Sequence, residues 1–250
     1  MSSSADPALL SKKIAFLTQV LPFARLDEKD LSRLSQDMRL KEYERGETIF
    51  REGDTSSEIF IVMRGKIRIF KVTQSGNETS IDIFTSGDVI GEFAAIDRQP
   101  RSATAQVVES CALLQMSADK FREYLNQIPP LALGLVHLLV AKIRWTADYA
   151  ATIAQYDAAG RLLHILLLYK ERLGEEQVKG KRYMLNLGLN QTDLASFVGV
   201  RREWVNHMLQ DWSKRGLIEY NAGKIIILDL PRVVQERDSR IEANMHQGGW

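Results

Sequence analysis

The sequence predicts an α+β chain of two domains joined by one long helix, and three observations carry that prediction. Between residues 41 and 117, short β-branched and aromatic runs recur at roughly ten-residue spacing, separated by Gly or Asp/Ser turn signals. From Leu131 to about Tyr156 the period is helical, with no proline and Gly134 as the one glycine. Beyond residue 157, two short helical stretches meet at Gly199 and two short strands follow them. A length of 250 residues suits two ordinary domains, and 45% hydrophobic with 26% charged residues excludes a disordered or collagen-like chain. The expected boundaries are 1–130 for a β-barrel domain, 131–157 for a helix and hinge, and 158–250 for a second domain.

Net charge is +1, so composition alone names no partner. Residues 158–250 carry 14 Lys/Arg against 11 Asp/Glu, a mildly basic balance, and residues 1–157 carry 19 against 21. The single cysteine, Cys111, excludes an intramolecular disulfide framework and a four-cysteine zinc or iron–sulfur site on this chain. It fits a reducing compartment. Ile14 to Leu21 is too short and polar for a secretory signal. The apolar run Leu131–Ala141 holds His137, meets Lys142 and Arg144, and is too short to span a bilayer. The expectation is a cytoplasmic protein with no membrane contact.

In order along the chain, residues 1–13 start with a Ser-rich, Pro-containing tail expected to be loosely ordered. Short helices over 14–40 break at Leu21 and Pro22. The strand runs are 48–51, 58–63, 66–72, 80–84 and 103–108, with breaks at Gly46, Gly53, Gly65, Gly76 and Gly87, which predicts an antiparallel barrel or jelly roll. Ser117 suits the cap of a helix through Asn126, and Pro129 and Pro130 end it and start the long one. On the long helix Leu139, Ile143, Thr146, Ala150 and Ile153 follow spacings of 4, 3, 4 and 3, a heptad seam. That seam packs either against the chain's own barrel or against a second copy in a parallel pair. The helix's length favours the homodimer. A helix over 157–173, a charged loop over 175–182 and a strand over 183–187 come next.

The strongest local signal is residues 190–212. Asn190 or Thr192 caps a short helix burying Leu194, Ala195 and Val198, and Gly199 permits the left-handed residue of a tight turn. A second helix from Arg201 buries Val205, Met208, Leu209 and Trp212. Its basic start, Arg201 and Arg202, opposes the helix dipole, which phosphate or guanine would reward. The strands around residues 217–228, joined by an Asn/Gly turn, make a wing. The competing reading is an ordinary helical corner with solvated arginines.

Residues 87–105 sit between two strands and hold Gly91, Glu92, Arg101 and Ser102. Gly91 allows close backbone approach, Glu92 accepts from a sugar hydroxyl, and Arg101 with Ser102 suits a phosphate. Spacing alone equally allows Glu92 and Arg101 to pair with each other.

The order of barrel, Gly91-Glu92 to Arg101-Ser102 cassette, long helix and winged helix-turn-helix resembles the CRP/FNR family of bacterial transcription regulators over about residues 14–230. The resemblance implies a cyclic-nucleotide-binding β jelly roll, a dimerisation helix and a winged helix-turn-helix, in a regulator that is not an enzyme. It implies an effector, cAMP or cGMP, held by Gly91, Glu92, Phe93, Arg101 and Ser102, with Thr146 at the purine. Ala147 stands where the cyclic-AMP branch usually has a serine from the partner subunit. It implies DNA contacts from Gln191, Thr192, Arg201, Arg202, Glu203, Asn206 and His207. Arg202 would read guanine and Glu203 cytosine. His207 and Trp204 depart from the family's usual arginine and small polar residue, so operator preference is expected to differ. The implied partners are a palindromic duplex operator, a second copy of the chain, and RNA polymerase. No metal, haem or iron–sulfur cluster is expected, since no cysteine cluster is present and the four histidines (His137, His164, His207, His246) lie outside the barrel. A barrel metalloenzyme needs clustered histidines and carboxylates that residues 41–117 lack. Two alternatives stay open: a regulator needing no effector, and a nucleotide-binding module acting on a protein partner.

Overall fold

The computed structural model describes residues 7–56, 58–221 and 223–241. In chain order the elements are α1 (Pro7–Leu17), α2 (Glu28–Asp37), β1 (Arg39–Tyr43), β2 (Thr48–Phe50), β3 (Glu58–Val72), β4 (Glu78–Phe84), β5 (Val89–Ile90), α3 (Glu92–Asp97), β6 (Thr104–Ser117), α4 (Ala118–Gln127) and α5 (Pro129–Gln155). They continue with α6 (Ala158–Leu173), β7 (Gly174–Val178), β8 (Arg182–Asn186), α7 (Gln191–Val198), α8 (Arg202–Lys214), β9 (Ile218–Asn221), β10 (Lys224–Ile227) and α9 (Leu230–Asp238). The chain forms two compact units, one from the residues up to Lys71 with Ile81–Ile143, the other from Val72–Ser80 with Arg144 onward.

The first unit is built on a six-stranded sheet ordered β1-β6-β3-β4, with β2 also on β6 and β5 also on β3. Strand alternation feeds two cores. Ile59, Ile61, Leu114 and Met116 pack with Leu17, Leu34, Phe121 and Leu135 of the helices. Their neighbours Phe60, Val62 and Leu113 turn the other way, to Phe50, Ile67, Val107 and Cys111. Burial pushes the Cys111 thiol up to about 11, so it stays a protonated, inert core group at neutral pH.

Two expectations for this unit are corrected. The break foreseen at Gly65 does not occur: β3 runs 15 residues, and register shifts between Val62 and Ile67 let it bend against β6 without ending. Residues 7–13 are not a loose tail. Pro7 starts α1, and the buried Lys13 ammonium donates to the carbonyls of Ser35 and Met38 at 3.1 and 2.5 Å, closing the C-terminal end of α2. The Ser-rich residues 1–6 lie outside the described residues, as do Ala222 of the wing turn and His246. The Ser117 cap is present, its side chain accepting from Lys120 N.

The second unit centres on α6, which buries Leu162, Leu163, Leu166, Leu167 and Tyr169. Asp157 caps it, accepting from Gly160 N at 2.7 Å. A four-stranded sheet ordered β7-β8-β10-β9 lies beside it. The loop foreseen over 175–182 is thus largely strand, because β7 pairs antiparallel with β8. Beyond α9 the chain returns to the start of α6, with Asp157 N donating to Arg240 O at 3.1 Å.

Candidate ligand cassette and nucleic-acid interface

Residue 91 is where β5 turns into α3, and it does so with φ of 80°. A Cβ there would stand 2.4 Å from Arg101 Nη1 and 2.9 Å from Glu58 O, so glycine is required for the backbone and for the space. Gly91→Ala is therefore expected to destabilise the barrel by roughly 2 kcal/mol or more. A thermal melt lowered by at least about 4 °C would register it.

The next residue, Glu92, opens α3 and is only 2% exposed; Arg101 is 3% exposed. Both are drawn to the same place. Arg101 Nη1 donates to Gly91 O at 2.9 Å, Nη2 to Glu58 O at 2.8 Å, and Nε to Ser56 Oγ at 3.2 Å. The ring of Phe50 lies 4.2 Å from its guanidinium carbon, and Glu58 Oε2 is 3.6 Å from Nη2. The Arg101 backbone is fixed as well: its N–H donates to Asp54 O and its carbonyl accepts from Gly53 N, both at 2.9 Å. Burial draws the guanidinium below its usual range, and the carboxylates of Glu58, Asp54 and Glu92 oppose that shift.

Glu92 does not pair with Arg101. Its Oε1 accepts from Lys142 Nζ of α5 at 2.7 Å, and the same ammonium donates to Val89 O at 2.7 Å. Lys142 also lies 4.6 Å from the ring of Phe84 and 5.8 Å from that of Phe93. The arrangement presents a buried carboxylate and a buried guanidinium on either side of a tight turn, each already held by protein groups. The chemistry of such a pair suits a ligand with both a hydroxyl and an anion, which would compete with Lys142 for Glu92 and with Glu58 for Arg101.

Of the foreseen cassette, Gly91, Glu92 and Arg101 come together, while Phe93 and Ser102 are exposed beside them. Thr146 and Ala147 are exposed on α5, about one turn beyond Lys142. Sequence reasoning missed Ser56, Glu58 and Lys142. Only Lys142 left a trace, as a cation one turn before Thr146.

Of the foreseen seam, Ile143, Thr146, Ala150 and Ile153 are exposed, and Leu139 is not. Leu139 is partly buried against the chain's own core, beside Leu135 and Leu138. The exposed apolar positions are Leu133, Val136, Val140 and Ile143, continuing through Ala147 and Ala150 at the same 3–4 spacing. Ile143 is 67% exposed; Ile153, Thr146 and Ala150 are exposed too. Leu131, Leu135 and Leu138 fill the inward face of α5, and Leu139 flanks them. By length and composition alone α5 would also cross a bilayer. Its inward face is a protein core, however, and its Lys142 is tied to Glu92.

In the second unit, Asn190 caps α7 and forms a capping box with Asp193. Gly199 follows at φ of 72°, and Arg201 takes the N-cap position of α8 with no side-chain cap bond. Leu194, Ala195, Phe197 and Val198 of α7 and Val205, Leu209 and Trp212 of α8 are buried; Met208 is only partly so. That leaves Arg201, Arg202, Glu203, His207 and Gln210 on the outer face of α8. Thr192 is exposed at the start of α7, and Gln191 reaches across to Asn206, its Nε2 donating to Asn206 Oδ1 at 3.1 Å. Strands β9 and β10 pair antiparallel as the wing.

The family profile "Cyclic nucleotide-binding domain" matches residues 40–128, and "Crp-like helix-turn-helix domain" matches residues 160–235. The chain is 26% identical over 213 residues to a CRP-like cAMP-activated global transcriptional regulator of Mycobacterium tuberculosis, covering 85% of this chain and 94% of that one. It is 27% identical over 201 residues to the cyclic AMP receptor protein of Thermus thermophilus, covering 80% and 87%. A CooA mutant from Carboxydothermus hydrogenoformans superposes with a TM-score of 0.68 at 21% identity, covering 81% of this chain and 88% of that one.

Proposed function

Since the chain belongs to the CRP/FNR family of DNA-binding transcription regulators, we propose that it is a cytoplasmic homodimer switched by a cyclic nucleotide, cAMP first and cGMP second. The observation that carries the effector is the buried pair at the Gly91 turn, Glu92 for a ribose hydroxyl and Arg101 for a cyclic phosphate. Gly91, Phe93 and Ser102 complete the cassette, Thr146 meets the purine, and Ala147 leaves room where a partner serine is usual. The effector is an exchanging ligand, and the reading includes no metal, haem or iron–sulfur cofactor.

In this reading α5 pairs with its copy along Val136, Val140, Ile143, Ala147 and Ala150, with Thr146 and Ile153 at the edge of the seam. The two α8 helices enter successive major grooves about 34 Å apart on a palindromic operator. Arg202 reads guanine and Glu203 cytosine, Arg201 and Thr192 meet phosphate, and His207 takes a base position usually read by arginine. RNA polymerase is the partner to which the bound dimer passes its signal.

A second reading has its own support. Glu92 is already bonded to Lys142, and Arg101 to Gly91 O, Glu58 O and Ser56 Oγ, so the cassette is satisfied by protein groups alone. Such a chain would bind DNA without effector. Calorimetry with cAMP and with cGMP, free and on operator DNA, separates the two. The effector reading expects nucleotide and operator each to tighten the other's binding by one common factor, as linkage demands. No heat with either nucleotide, and unchanged operator affinity, would establish the second reading.

A further inference from the structure

Beside the outer face of α8 stands one side chain whose contacts restrict how it can meet a base. Asn206 Oδ1 accepts from Gln191 Nε2 of α7 at 3.1 Å and from Gln210 Nε2 of α8 at 3.4 Å. A carbonyl oxygen has two lone pairs, and here both face the protein. Asn206 stands one turn beyond Arg202 and Glu203 and one turn before Gln210, half-buried on the flank of α8 between the buried stripe of Val205, Leu209 and Trp212 and the exposed face. Among the described residues no acceptor is recorded for Asn206 Nδ2.

Free asparagine reads adenine with both ends of its amide, Nδ2 donating to N7 while Oδ1 accepts from N6. With Oδ1 occupied, that bidentate contact is closed. We propose that Gln191 and Gln210 hold Asn206 as a donor-only reader, so that this position of α8 takes a base showing a major-groove acceptor, with adenine, held through N7 alone, no better than guanine or thymine, and rejects cytosine, which shows only a donor. Gln191 is then a positioning residue: it sits on the first helix of the pair, and it sets specificity through a side chain on the second. This rests on the reading of α8 as the groove-entering helix.

The test is selection of binding sites from random duplexes by the full-length chain, followed by competition titrations. The wild-type chain is expected to show one position per half-site where cytosine is disfavoured and adenine has no advantage over guanine or thymine, and Asn206→Ala should erase discrimination at that position alone. Gln191→Ala with Gln210→Ala frees Oδ1 and should make adenine the preferred base there through the bidentate contact, raising the adenine-to-guanine ratio about tenfold. The Arg202-dependent guanine preference should stay in place in every variant. Adenine preferred by the wild-type chain at the Asn206-dependent position would overturn the proposal. So would a double variant that weakens all sequences equally with an unchanged base profile, since amides that only brace the helix pair would do that. A chain selecting no sequence at all would instead sink the groove-reading assignment of α8 itself, a different result from a selected site indifferent to Asn206.

Discussion

Val140→Glu combined with Ile143→Glu should turn the protein into a monomer that binds a palindromic operator at least about a hundredfold more weakly, because each half-site is then bound without the avidity of a joined pair. Both side chains are exposed, so the fold of the single chain loses little. In a parallel pair each new carboxylate meets its own copy across the seam, and burying like charges unpaired costs several kcal/mol. Sedimentation at the concentrations used for a gel shift reads both effects together. Leu139→Glu is the contrasting variant. Leu139 lies against the core formed with Leu135 and Leu138, so a charge there should lower the melting temperature by several degrees before it touches association. A double variant that remained dimeric would place the interface away from α5.

That contrast also marks what the sequence can and cannot convey. Periodicity located α5, and the cap residues at Ser117 and Asn190 were legible because a cap depends on neighbours three residues away. Which stripe of α5 faces inward was not legible, since Leu139 and Val140 both suit a heptad and only the barrel's shape decides between them. The cassette divides the same way. Gly91, Glu92 and Arg101 lie within ten residues and were found together. Their actual partners, Lys142 for Glu92 and Glu58 for Arg101, stand 50 and 43 residues away, and no local pattern links them. The alternative of a direct Glu92–Arg101 pair fails for the same reason: each found a better-placed partner from a distant strand or helix. A charged loop over residues 175–182 became a strand because β8 offered a ladder, and pairing outweighed a polar composition.

Arg101→Ala carries the other large effect, and the geometry changes what should be seen. Were Arg101 a phosphate ligand and nothing more, replacing it would silence the nucleotide response and leave the fold alone. In the structure the guanidinium is a buried brace that bonds Gly91 O, Glu58 O and Ser56 Oγ and stacks on Phe50. Removing it strips a donor from two backbone carbonyls that hold the β5–α3 turn to the start of β3; Gly91 O keeps Ala95 N at 3.3 Å, and a buried acceptor left unsatisfied costs about 1–3 kcal/mol. The variant should therefore lose roughly 2–5 kcal/mol of stability as well as its response to cAMP. Loss of response in so weakened a chain would not identify the phosphate anchor, and Arg101→Lys supplies the sharper measurement. A lysine keeps the cation beside Glu58 and Asp54 but has no planar fork, so it holds one carbonyl where arginine holds two and grips a phosphate as a point charge. Its melting temperature should recover a good part of the loss while nucleotide affinity stays at least about tenfold below that of the parent chain. Full nucleotide response in Arg101→Lys would mean that charge alone suffices at this position and that the planar guanidinium adds nothing to phosphate binding.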